Sequence, residues 1–276
     1  MALKNILVPY NGSESSDAAV RAAIQSHKKH GAHVTGLLAH RSAKSRLRSE
    51  FWIPQAVMDT LDQVEEKTQA DIRAKFFETV GDQIATDKLH WIERFGDADA
   101  MVADYARMFD LTIMGRHDSL QGNRRMELHP DLVTLKSGRP VLVVPRANDA
   151  ADIRKRAVLA WDGHRAATSA VNDAMQILET RQDVTVLSIE TGKEARPLKG
   201  IDIKTVLERH GINVEYVRVP ASKAGVGATM LEFCENHDAG LLVMGAYENS
   251  IYKEQIFGGV TQYVLENAQL PVLMSH

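Results

Sequence analysis

Ile6-Leu7-Val8-Pro9-Tyr10-Asn11-Gly12 recurs as Ala157-Val158-Leu159-Ala160-Trp161-Asp162-Gly163. Each stretch is a short apolar run that ends at Asn-Gly or Asp-Gly, the pattern of a buried strand running into a sharp turn. Two further segments repeat in the same order. Leu111-Thr112-Ile113-Met114-Gly115 is echoed by Leu241-Leu242-Val243-Met244-Gly245, and Pro140-Val141-Leu142-Val143-Val144 by Pro271-Val272-Leu273-Met274-Ser275. Self-similarity that keeps its order along the chain means two copies of one unit. The units span 1–147 and 153–276, joined through the polar stretch Arg146-Ala147-Asn148-Asp149-Ala150-Ala151-Asp152. The first unit carries about 20 extra residues, in Arg41–Thr60, a basic stretch that runs into Phe51-Trp52-Ile53-Pro54. The aromatics there are expected to cap the core where a long helix starts.

Within each unit, β-branched apolar runs alternate with amphipathic stretches. Strands are expected near 5–10, 33–39, 89–94, 110–114 and 140–144, and helices near 15–30, 54–82, 97–108 and 128–136. In the second unit strands fall near 156–161, 183–189, 213–219, 240–244 and 271–274, and helices near 165–179, 202–210, 224–237 and 259–267. Residues 110–114 and 240–244 show no polar alternation, as expected of strands covered on both faces. Strands alternating with crossover helices predict an α/β fold: two tandem doubly wound units, each a five-stranded parallel sheet flanked by about four helices. Val57, Leu61, Val64, Ile72 and Phe76 should form the packing face of the helix at 54–82. His27, Lys28, Lys29 and His30 read as a solvated helix face.

The 276 residues are 44% apolar and 25% charged, with Lys+Arg 33 against Asp+Glu 36 and a net charge of −3. That balance argues against a nucleic-acid binder, which needs clustered, uncompensated cations. One cysteine, Cys234, excludes an intrachain disulfide and a cysteine metal cluster, and it reads as a small buried residue. No run approaches the roughly 18 to 20 apolar residues of a membrane span, and the amino-terminal apolar run is too short for a signal peptide. The expected setting is the cytoplasm.

In an open parallel sheet, ligands bind beyond the carboxyl ends of the strands. Two loops per unit leave such ends. After the first strand come Asn11-Gly12-Ser13 and Asp162-Gly163-His164, and after the fourth come Gly115-Arg116-His117-Asp118 and Gly245-Ala246-Tyr247-Glu248. Only the second unit continues with Gly258-Gly259-Val260-Thr261 opening a helix, where backbone N–H groups and a hydroxyl could cradle a phosphate. Ser13, Ser15 or Ser16 serves equally well as a helix cap.

The tandem arrangement, the Val-Pro-x-Asn-Gly-Ser opening, the Met-Gly strand ends and the closing Pro-Val-Leu-Val-Val strand resemble the universal stress protein family over nearly the whole chain. The resemblance implies strand order 3-2-1-4-5 and pairing of the two units through their fifth strands, with a further dimer of chains possible. In nucleotide-binding members an Asp ending strand one contacts adenosine, and Gly-x2-Gly-x9-Gly-(Ser/Thr) follows strand four. Asp162, Gly245 and Gly258 match that pattern, with Gly163 beside the Asp. Glu248 replaces the second glycine and Gly259 the Ser/Thr, with Thr261 supplying a hydroxyl two residues on. A carboxylate beside a triphosphate is repulsive, by about 1 kcal/mol at 4 Å in water and about 4 kcal/mol at an effective dielectric of 20; a bridging Mg²⁺ would reverse the sign. The first unit departs further: Asn11 stands for Asp, Asp118 for the second glycine, and Gly12, Ser13 and Gly115 form a degenerate counterpart.

Three functions follow as expectations. The first is a non-enzymatic stress-response module binding ATP or a related adenine nucleotide, with Mg possible, in the second unit. The second is an interaction protein with both pockets defunct. The third, a slow ATPase or hydrolase using His117 or His164, lacks a complete catalytic constellation.

Overall fold

A computed structural model describes residues 3–41, 54–116, 128–146, 156–181, 183–192, 194–246 and 259–276. The first half runs β1 (Asn5–Pro9), α1 (Glu14–His30), β2 (His33–His40), α2 (Gln55–Val80), β3 (Leu89–Phe95), α3 (Ala98–Ala106), β4 (Leu111–Gly115), α4 (Pro130–Ser137) and β5 (Val141–Val144). The second half repeats this as β6 (Arg156–Ala160), α5 (Arg165–Leu178), β7 (Asp183–Glu190), α6 (Ile203–Arg209), β8 (Val214–Pro220), α7 (Val226–Asn236), β9 (Leu242–Gly245), α8 (Val260–Asn267) and β10 (Val272–Ser275).

All the strands join one ten-stranded sheet, in the order β3-β2-β1-β4-β5-β10-β9-β6-β7-β8. Each half is parallel inside and has the order 3-2-1-4-5. The halves meet where β5 and β10 pair antiparallel, Val143 opposite Val272 and Leu142 opposite Leu273. That pairing hides two edges that would otherwise invite aggregation. The edges left at the ends, β3 and β8, have the most exposed residues.

The sheet has a helix layer on each face. Alternate strand residues such as Ile6, Val8, Leu159 and Val243 pack against α1, α2, α5 and α6. Their neighbours Leu7, Val158 and Leu242 point the other way, against α3, α4, α7 and α8. Because side chains in a strand alternate faces, an unbroken apolar run serves two cores at once.

One expectation needs correction. The packing face of α2 is shorter than its sequence pattern. Ile72 and Phe76 are buried, but Val57 is 48% and Val64 59% exposed, and the buried residues of α2, Ile72, Phe76 and Val80, all lie in its second half. The basic end of α1 is exposed at Lys28 and Lys29, as expected of a solvated face, and there Lys29 Nζ also donates to Thr180 Oγ1 of the other half at 2.7 Å. Phe51, Trp52 and the linker after Arg146 lie outside the described residues. Cys234 is buried on α7, and burial pushes its thiol up to about 12.

Candidate functional site

The carboxyl ends of β1 and β4, and of β6 and β9, define one candidate site in each half. Both first-strand exits use the same turn. The N–H of Tyr10 donates to Leu37 O, and the N–H of Trp161 to Leu187 O, each at 2.9 Å. The glycines that follow, Gly12 and Gly163, adopt φ of +80° and +82°, a left-handed conformation that a side chain disfavours. Asn11 Oδ1 accepts from the N–H of Ser13 at 3.1 Å, and Asp162 Oδ1 from the N–H of His164 at 2.9 Å. Both polar side chains thus brace the turn that opens the next helix.

What covers the turns differs. In the first half α2 lies over the exit. A Cβ on Gly12 would sit 3.2 Å from Ile72 Cγ1, and Lys75 Nζ donates to Gly12 O at 2.7 Å while pairing with Asp17 at 2.9 Å. Asp17 also accepts from the Tyr10 hydroxyl at 2.6 Å. Burial, followed by that carboxylate, holds the Tyr10 phenol above its ordinary pKa. The Tyr10 ring meets Phe76 and Trp91, with centroids 5.3 and 6.3 Å away, in space that exists because Gly36 has no side chain. Gly36 escaped the sequence reading; a lone glycine inside an apolar strand was its only signal.

In the second half a short strap after β7 does the covering. The N–H of Ala195 donates to Asp162 O at 2.8 Å, and a Cβ on Gly163 would lie 2.8 Å from Ala195 Cβ. Glu194 holds the strap's start by accepting from the N–H groups of Thr191 and Gly192 and from the Thr191 hydroxyl. Those bonds to its charged form pull its carboxyl down to about 2.

The Met-Gly strand ends have a packing role. A Cβ on Gly115 would fall 2.0 Å from Ser15 O, and one on Gly245 2.5 Å from the carbonyl carbon of Ala166. The first turns of α1 and α5 therefore press backbone to backbone on the fourth strand of each half. Ser13 caps α1, accepting from the N–H of Ser16 at 3.2 Å. His164 stands at the cap of α5 without a side-chain cap bond.

At the last helix of each half the two sites diverge most. Gly259 is the N-cap of α8, with no side-chain cap and, among the described residues, no atom within 4 Å of where a Cβ would lie, and Thr261, two residues on, is buried. The equivalent place before α4 holds His129, whose ring Nδ1 and backbone N–H both bond the Asp99 carboxylate at 2.8 Å. The first amides of α8, which have no partner within the helix, lie at the same edge of the sheet as Asp162, because β6 and β9 are parallel neighbours. Arg116, leaving β4, donates to Glu266 O and Ala268 O and so holds the far end of α8 from the first half. Asp118, His117, Glu248 and Gly258 lie outside the described residues. No group of three or more metal-ligating side chains is present among those described.

The Universal stress protein family model matches the chain twice, over residues 2–145 and 154–276. Among solved structures, a universal stress protein from Archaeoglobus fulgidus DSM 4304 is 17% identical with a TM-score of 0.71, covering 98% of this chain and 95% of that one. A functionally unknown protein from Pseudomonas aeruginosa PAO1 is 14% identical with a TM-score of 0.57, covering 99% and 92%. A putative universal stress protein from Pseudomonas aeruginosa UCBPP-PA14 is 14% identical with a TM-score of 0.53, covering 99% and 93%. At these identities the likeness is one of fold. No curated protein matches the sequence.

Proposed function

Because the chain belongs to the universal stress protein family through both of its halves, we propose that it is a non-enzymatic binding module of the stress response. Its second half takes ATP or a related adenine nucleotide, and occupancy biases association with a partner or a second chain. The observation that carries this reading is Gly259, a helix start without a side-chain cap and unobstructed by any of the described residues, on the edge that also presents Asp162. Asp162, Gly163, Gly245, Gly259 and Thr261 are the residues assigned to the ligand, with Gly258 and Glu248 from the sequence pattern. Mg²⁺ would accompany the phosphates, offsetting the Glu248 charge. His129 and α2 make the first half the structural partner. No helix among the described residues is long and apolar enough to cross a membrane, and the proposed setting is the cytoplasm.

A second reading, an interaction protein with both pockets closed, is favoured by Ile72 on Gly12 and Ala195 on Gly163. Thermal unfolding with and without saturating Mg-ATP, on wild type and Asp162→Ala, separates the two. At a hundredfold excess over Kd the ligand adds about 2.7 kcal/mol, a rise of several degrees for a unit of this size. The nucleotide reading expects that rise in wild type and its loss in Asp162→Ala. No rise in either protein supports the interaction reading. The enzyme reading requires ATP turnover that falls in His164→Ala; the expected result is no turnover in either protein.

A further inference from the structure

A cavity lies at the seam between the halves, on the face of the sheet that carries α1 and α5 and away from both exit loops. Its floor is apolar, with Leu142 and Val144 of β5 beside Leu241. Its rim carries Lys29 and His30 from the end of α1 and Arg181 from just beyond α5. No carboxylate is among the described residues that line it. A cation in the last helical turn is ordinarily favoured by the helix dipole. Here burial, then the Arg181 guanidinium, depress the Lys29 ammonium, and burial, then Lys29, depress His30. Arg181 has an interaction of its own, and its guanidinium adds positive field at the rim. Lys29 spends one of its three donors on Thr180. Like charges gathered at a partly dry seam are the arrangement an anion relieves.

The apolar floor narrows the choice of anion. Ligand sites are mostly apolar, with a few polar groups that fix orientation, and a bare inorganic ion would leave this floor unused. The cavity measures about 90 Å³. One water-sized group takes about 10–15 Å³ on this measure, so about six to nine such groups fit. We propose that the seam binds a small organic carboxylate of about four to seven carbons, its head beside Lys29 and Arg181 and its chain on Leu142, Val144 and Leu241. The site exists only because the two halves are paired, so its ligand would report on that pairing.

Hexanoate is the probe, with acetate and 1-hexanol as the arms that remove the chain or the charge. Titration calorimetry on the full chain should give saturable hexanoate binding, with both controls about tenfold weaker or worse. Lys29→Gln removes a partly exposed charge and Ala22→Leu fills the cavity from α1. Each should weaken hexanoate about tenfold, while the thermal midpoint confirms folding. Absence of saturable hexanoate binding overturns the proposal, and so does survival of full affinity in either folded variant. Acetate binding as tightly as hexanoate overturns the role of the floor, and hexanol binding as tightly overturns the role of the cations. Asp162→Ala should leave hexanoate binding unchanged, so this result and the nucleotide result stand or fall separately.

Discussion

The two first-strand exits, Tyr10–Ser13 and Trp161–His164, begin with the same backbone turn and end under different covers. Over the first lies a 26-residue helix that contributes Ile72, Lys75 and Phe76. Over the second lies a strap whose reach to the turn is one backbone bond and the Ala195 methyl. The helices that follow β2 and β7 differ in length as well: α2 has 26 residues against seven in α6, and the second half of α2 buries the first turn. A strap held by a few polar bonds opens at far lower cost than a helix anchored on buried aromatics.

The comparison breaks most easily at Phe76. Phe76→Ala should cost about 3–5 kcal/mol, whereas Ala195→Gly on the opposing strap should cost about 1 kcal/mol or less. Urea unfolding midpoints of the two variants check this, and equal losses would mean that the strap is core as well. Gly115→Ala and Gly245→Ala should each cost about 3 kcal/mol by forcing a methyl into a helix backbone. Here the halves should agree, and a neutral result at either position would show that its helix does not press on the strand.

Smaller effects sharpen the contrast between the caps. Ser13→Ala should lose about 1 kcal/mol, while His164→Ser should gain about 0.5–1 kcal/mol by supplying a cap that α5 lacks. The strap has a pH signature too. The Glu194 carboxyl is depressed from its ordinary 4.5 to about 2, so its bonds contribute fully above pH 4.5 and are lost as the pH falls through about 2. Its carboxyl carbon-13 resonance should stay in the ionised position down to about pH 3.5. A midpoint near 4.5 would mean that the strap is open in solution.

Much of this was legible in the chain. Three echoed segments revealed the repeat, and unbroken apolar runs such as Leu241–Met244 identified strands buried on both faces. Ser13 could be read as a cap because capping is a local bond between neighbours in sequence. Other features were not legible, for reasons of distance. Val57 and Val64 have helical spacing, but a period states which face is apolar and not whether anything lies opposite it. That the exposed Lys29 reaches Thr180 was not legible, because the two lie some 150 positions apart. The Met-Gly ends read as loop glycines, and the helix backbones that press on them, Ser15 on Gly115 and Ala166 on Gly245, come from segments some 80–100 positions away.

The sequence by itself determined the two units, their α/β class, the turn that ends each first strand and the single buried cysteine. Each of these follows from local periodicity, turn chemistry or a count. The pairing of β5 with β10 was already implied by the family resemblance. Only the tertiary structure decided that α2 lies over one exit while a strap lies over the other, and that cations gather over an apolar seam. Those outcomes depend on which surfaces meet across long loops, and one chain's residue pattern does not encode the partner of a face, only that the face needs one.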